Sequence, residues 1–167
     1  TDPVKIGLEL KDKKIIFELV DDQYRLFFNG KDVSDHIRRE EIGTKASDLA
    51  HNQQIRNLIK TTQRSFYDPN IGLIADGRDM GSVVFPAAGI KIYLDASIEE
   101  RAKRRQIQLK EKGLKVNMPN LISSLEERDL KDKNRKVSPL LIPEGAKVID
   151  STNLSIDEVV NIVMDLT

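Results

Sequence analysis

The sequence predicts an α/β fold, a parallel sheet flanked by helices with a small antiparallel β plus helix insert ahead of it. Three observations carry this prediction. From Ile71 onward, short apolar runs alternate with helix-forming stretches, the pattern of a parallel sheet covered by helices. Asn29-Gly30 lies between two β-rich runs and marks a hairpin. Ser97-Ile98-Glu99-Glu100 and Ser155-Ile156-Asp157-Glu158 each read as a capping box opening a helix soon after an apolar run.

A chain of 167 residues suits one domain with a small inserted lobe. With 39% hydrophobic and 32% charged residues, a modest core carries a well-solvated surface. Lys and Arg number 27, as do Asp and Glu. This balance argues against a protein that coats polymeric nucleic acid and leaves room for a local site for a small anion. The absence of cysteine removes disulfides and thiolate metal sites, and two separated histidines, His36 and His51, give no histidine metal site. No apolar run approaches the ~20 residues of a membrane span, and no secretory core is visible. A soluble cytoplasmic protein with no membrane partner is expected. The chain opens Thr1-Asp2-Pro3 and its methionines are Met80, Met118 and Met164, so its N-terminus is expected to belong to a longer protein.

In order, Asp2-Pro3 should cap and begin a helix through about Lys11. Lys14–Val20 and Tyr24–Phe28 are expected as strands joined through Asp21-Asp22, with Lys31–Val33 as a short third strand after Asn29-Gly30. Asp35–Phe66 reads as helical, with Ile55, Leu58, Ile59, Thr62 and Phe66 on one stripe and Arg56 off it. Asp68-Pro69-Asn70 punctuates the end of this lobe.

Ile71–Ala75 is expected as a buried strand delivering Asp76-Gly77-Arg78-Asp79-Met80-Gly81 to the C-terminal edge of the sheet, where open α/β sheets bind ligands. An ordinary charged surface loop would also fit. Gly89–Leu94 reads as the next strand. The basic helix after Ser97 runs to about Lys112 and stops at Gly113. By itself it reads as a solvated face. In Leu121–Arg135 the stripe begun by Leu121 and Leu125 continues as Arg128, Asp132 and Arg135. Intrahelical ion pairs would account for these charges, whereas a ligand-facing surface would also account for their taking the place of leucine. Ala146–Ile149 is expected as a last strand. The final helix should turn Val159, Ile162, Val163 and Leu166 inward.

Arginine suits bidentate phosphate contacts, which Arg78, Arg128 and Arg135 could make. Asp79 could accept from an exocyclic amine of the kind cytosine has and uracil lacks. Asp132 could take the hydroxyls of a ribose. These residues suit a nucleoside monophosphate. No Ser-His-Asp or Cys-His arrangement supports hydrolysis, whereas phosphoryl transfer asks mainly for positioning and charge neutralisation.

The stretches Ile71–Pro86, Ile92–Ser97 with Glu100-Arg101 and Arg104-Arg105, Glu127-Arg128-Asp129 through Asn134-Arg135, Ser138-Pro139-Leu140 and Ile149–Thr152 together resemble bacterial cytidylate kinases, over essentially the whole chain. The resemblance implies a nucleoside monophosphate kinase fold that moves the γ-phosphate of ATP to CMP or dCMP with Mg²⁺. It implies an insert lobe over 1–68 that binds the monophosphate, and a core over 69–167 with a lid segment at about 101–136. Ser47 and Arg56 would contact cytosine from the insert, with Asp79 reading the amine. Arg78 would hold the α-phosphate and Asp132 the ribose, while Arg128 and Arg135 would be the catalytic arginines of the lid. The implied partners are CMP, dCMP and ATP, with a monomer as the expected state.

The sequence departs from that family at one element. None of the nine glycines completes the G-x-x-x-x-G-K-[ST] loop that cradles ATP phosphates, since Lys follows only Gly30 and Asp32 comes next. The family's first strand, which lies between those placed here at Leu73–Ala75 and Ile90–Leu94, has no counterpart, and neither do the serine and arginine after its first helix. The chain is therefore expected to be a fragment that holds the CMP side of the site, with no cofactor or metal ligands of its own and no turnover. A non-catalytic nucleotide-binding module and a UMP-type kinase are the alternative readings.

Overall fold

The computed structural model describes residues 2–11, 13–111, 113 and 115–167. The chain forms two compact units, Thr1–Gly72 and Leu73–Thr167.

In the first unit, Asp2 begins helix α1 (Pro3–Lys11), its Oδ1 accepting from the Val4 amide at 2.9 Å. Strands β1 (Ile15–Val20), β2 (Gln23–Phe28) and β3 (Lys31–Asp32) form an antiparallel sheet in that order, with Ile15 opposite Phe28 and Val20 opposite Gln23. The two-residue turn between β2 and β3 works because Asn29 (φ 51°) and Gly30 (φ 76°) both take left-handed backbone, which these residue types tolerate. Ser34 locks the end of the meander. Its hydroxyl accepts from the Leu26 amide at 2.8 Å and donates to Asp32 at 2.6 Å, which helps hold the Asp32 carboxyl below its ordinary pKa.

The expected helical stretch divides into α2 (Ser34–Ile37), α3 (Glu40–Leu49) and α4 (Gln53–Arg64). Asn52 starts α4 by accepting from the amides of Gln54 and Ile55. On the α4 stripe only Ile55 is buried. Phe66, just beyond the helix, meets Phe17 edge to face with ring centroids 5.4 Å apart.

In the second unit, β4 (Ile92–Asp95) and β5 (Lys147–Asp150) pair in parallel, Ile92 beside Lys147 and Asp95 beside Asp150. The crossover between them contains α5 (Ile98–Glu111) and α6 (Met118–Asn134), and α7 (Ile156–Met164) follows β5. Lys112, expected as the last residue of α5, lies outside the described residues. The Ser155 box forms in full: Ser155 Oγ accepts from the Glu158 amide at 3.2 Å, and Glu158 accepts from the Ser155 amide at 2.8 Å. The Ser97 box forms only by half. Its hydroxyl accepts from the Glu100 amide, but the Ser97 amide donates to Thr152 Oγ1 and Glu100 pairs with Arg104. A long-range partner has displaced the reciprocal local bond. Val159, Ile162 and Val163 are half-buried as expected of the inward face of α7, whereas Leu166 is exposed. No helix among the described residues is long and apolar enough to cross a membrane.

One expected strand is absent. Ile71–Ala75 is irregular, with Ile71 85% and Ile74 101% exposed. The amides of Ile71 and Gly72 both turn back to the Asp68 carbonyl, and Gly72 has φ 86°. The run is thereby withdrawn from extended pairing at its start, and an apolar run without a ladder partner has no reason to stay a strand.

Candidate functional site

The charged loop after Ala75 leads into a π-helical turn, Met80–Val84, in which the amides of Val83 and Val84 both reach the Asp79 carbonyl. Such turns are uncommon and concentrate at functional sites. Close approach explains the flanking glycines: a Cβ on Gly81 would stand 3.0 Å from the Pro143 ring, and one on Gly77 would stand 3.0 Å from the Met80 side chain. This turn buries Asp79 (6% exposed) and leaves Arg78 about one-third exposed.

Arg78 sits in a chain of alternating charges. Its Nη1 lies 2.7 Å from Asp132 Oδ2 and 3.5 Å from Asp129 Oδ1. Asp132 Oδ1 faces Arg135 Nη1 at 3.5 Å, and Asp129 Oδ2 faces Arg101 Nη1 at 2.6 Å. The order Arg135–Asp132–Arg78–Asp129–Arg101 contains three cations and two anions, so it keeps one net positive charge. A small anion would neutralise it.

Each member is placed by an element. Asp129 and Asp132 lie three residues apart on α6, so both reach the same side. Arg135, just past the helix end, is buried; its Nε donates to the Ser138 carbonyl, and the Leu140 amide returns to the Asp132 carbonyl at 2.8 Å. Ser138 is thereby held at φ 48°, a conformation that costs a non-glycine residue on the order of 1 kcal/mol. Arg101 is on the first turns of α5, and its Nε donates to the Ala96 carbonyl at 3.1 Å, which ties the chain of charges to the C-terminal edge of β4. Arg104 clamps the same edge: it donates to Ser151 Oγ at 3.1 Å and to the Ser151 carbonyl at 2.7 Å, while Ser151 Oγ donates to the Asp95 carbonyl.

The contact from Arg78 to Asp132 is close but poorly aligned. Asp132 Oδ2 accepts no directed hydrogen bond among the described residues, although a guanidinium nitrogen is 2.7 Å away. The attraction is Coulombic, and the oxygen retains acceptor capacity. Ser82 Oγ, inside the π-helical turn, is also buried without a hydrogen-bond partner among the described residues.

Of the residues singled out from sequence, Arg78, Asp132 and Arg135 come together. Asp79 is buried next to Arg78. Arg128 is exposed on α6 and takes no part in the chain of charges; the partners of Asp132 are Arg78 and Arg135. Ser47 on α3 and Arg56 on α4 are half-buried within the first unit. Sequence reasoning missed Arg101 and Asp129. A signal existed on α5, where Arg101, Arg104 and Arg105 are half-buried while Lys103 and Lys110 are exposed. Arginine rather than lysine marks the positions with fixed partners. At the opposite, N-terminal edge of the sheet, Gly89, Ile90, Lys91, Gly145, Lys147 and Leu166 line a shallow hollow that none of these residues touches.

The sequence contains no G-x-x-x-x-G-K-[ST] loop, and no group of three His, Cys, Asp or Glu side chains among the described residues could hold a metal ion.

The family model "Cytidylate kinase" matches residues 6–167. The chain is 52% identical over 137 residues to a cytidylate kinase of Colwellia psychrerythraea, covering 82% of this chain and 60% of that one. It is 50% identical over 135 residues to one of Proteus mirabilis, covering 81% and 60%. A third, of Yersinia enterocolitica, is 49% identical over 138 residues, covering 83% and 60%. The chain thus spans about 60% of the length of these curated relatives. The loop carrying Arg78 and Asp79 into the π-helical turn, the charged end of α6 and the parallel pair β4–β5 all fall within the matched residues, and the chain belongs to the cytidylate kinase family.

Proposed function

We propose that this chain carries the monophosphate side of a cytidylate kinase, the enzyme that moves the γ-phosphate of ATP to CMP or dCMP to give CDP or dCDP, with Mg²⁺ as the family's usual metal. The observation that carries the reading is the net positive chain of charges around Arg78 at the C-terminal edge of β4. Arg78 would grip the α-phosphate, since a guanidinium fork matches phosphate geometry. Asp79 would accept from the cytosine amine. A buried carboxylate there favours a donor over a carbonyl, and so CMP over UMP.

Asp132 would take ribose hydroxyls. Its side chain is only 5% exposed, so the last turn of α6 has to rearrange before a sugar can reach it. The same movement would bring Arg128 and Arg135 toward the phosphates, with 101–136 acting as the lid that excludes water. Ser47 and Arg56, in the lobe over 1–68, are proposed as further cytosine contacts on the family relationship alone. The protein is proposed to work in the cytoplasm as a monomer.

Calorimetric titration of the 167-residue chain with CMP, UMP and ATP separately tests the reading. CMP should bind, UMP should bind more weakly and ATP should give no heat. Absence of CMP binding overturns the proposal. The missing G-K-[ST] loop also favours a second reading of this chain, as a nucleotide-binding module without turnover; conversion of CMP to CDP by the purified chain would rule that out.

A further inference from the structure

Arg78 Nη1 lies between two carboxylates, 2.7 Å from Asp132 and 3.5 Å from Asp129, and the arginine side chain is about one-third exposed. Two carboxylates beside one end of a guanidinium restrict where the group can sit and leave its solvent-facing side for a ligand. Asp129 is the carboxylate that connects this position to the sheet. Its Oδ1 faces Arg78, its Oδ2 is held at 2.6 Å by Arg101, and Arg101 is itself anchored to the Ala96 carbonyl at the end of β4. We propose that Asp129, held by Arg101, is a positioning residue for Arg78: it holds the guanidinium in place so that its solvent-facing side meets the α-phosphate of the bound nucleotide. This rests on the nucleotide-site reading above and assigns roles to two residues that reading does not use.

The proposal makes a prediction of opposite sign to simple electrostatics. Removing the Asp129 charge makes the site more positive, and Coulomb attraction alone would then tighten phosphate binding. Loss of positioning weakens it instead. The test titrates CMP and cytidine, the same nucleoside without its phosphate, into the wild-type chain and the D129N and R101K variants, with thermal unfolding recorded alongside. Asparagine keeps the shape of the side chain, and lysine keeps the charge of Arg101 while losing its second point of attachment.

The expected result is a fall in the CMP-to-cytidine affinity ratio on the order of tenfold for D129N, less than the hundredfold that misplacing a group by about an ångström can cost. R101K should give a smaller fall in the same direction. A general loss of structure would weaken both ligands together and leave the ratio unchanged. A ratio that rises or stays the same in D129N overturns the proposal. If R78A lowers the ratio while D129N does not, the nucleotide site stands and only the positioning role fails. If the wild type binds CMP no better than cytidine, the phosphate site itself fails and the positioning role fails with it.

Discussion

Nη1 of Arg78 lies 2.7 Å from Oδ2 of Asp132, joining the loop before the π-helical turn to the last turn of α6. The acid is buried and the arginine about one-third exposed, so the pair is anchored on one side and open to solvent on the other. That asymmetry suits a group that is held by the protein and also meets a ligand, and the first prediction rests on it.

R78A removes the central cation and leaves the two carboxylates of Asp129 and Asp132 with one partner each. Stability should fall by about 1 kcal/mol, the scale of an ion pair open to solvent on one side, and CMP affinity should fall with it. R128A, at an exposed position outside the chain of charges, should change stability by less than about 0.5 kcal/mol. Thermal unfolding of both variants checks the contrast.

D79N should lower the preference for CMP over UMP. The asparagine amide can turn to donate toward a carbonyl, and a charge-assisted hydrogen bond contributes about 1.5–3 kcal/mol, equivalent to roughly tenfold or more in selectivity. Competition titration of the two nucleotides measures it; an unchanged preference removes the role given to Asp79.

The Ser155 box sets a pH dependence. Hydrogen bonds from the Ser155 amide and hydroxyl hold the Glu158 carboxyl below its ordinary value of 4.5. A carboxyl with a lowered folded-state pKa stabilises the fold above its unfolded value, and that contribution disappears as pH falls through the folded one. S155A should lower Tm by roughly 2–4 °C at neutral pH. The gap between variant and wild type should narrow below pH 4.5, where Glu158 becomes protonated. A gap that is constant down to acid pH would contradict the assignment.

Ile149 and Ile74 are both isoleucines in apolar runs, yet one is 4% and the other 101% exposed. I149A should cost about 2–5 kcal/mol through lost burial and the cavity left behind. I74A should stay within about 0.5 kcal/mol. Urea unfolding of the two variants in this chain compares them, and a large loss for I74A would mean that Ile71–Ala75 is packed after all.

Much of the fold was legible in the sequence because its signals are local. Asn29-Gly30 adopts the left-handed turn that its residue types favour, Asp2 caps α1, Ser155 and Glu158 close their box, and the apolar runs at β4 and β5 form parallel strands. The family relationship was equally legible, since it rests on the order of short motifs. Within the site, the stripe on α6 runs from an exposed Arg128 to a buried Asp132 and Arg135, a difference that helical spacing alone does not encode.

Sequence by itself determined which segments could become helices, hairpins and caps, because those choices are settled by side chains within a few residues of one another. Tertiary structure alone decided that Ile71–Ala75 would not be a strand, that Ser97 would bond to Thr152 rather than complete its own box, and that Arg78 would share Asp129 with Arg101. Strand ladders and ion pairs of this kind join residues distant along the chain. Their partners are selected by how the backbone brings charges and amides within about 3 Å, a distance that no local spacing encodes.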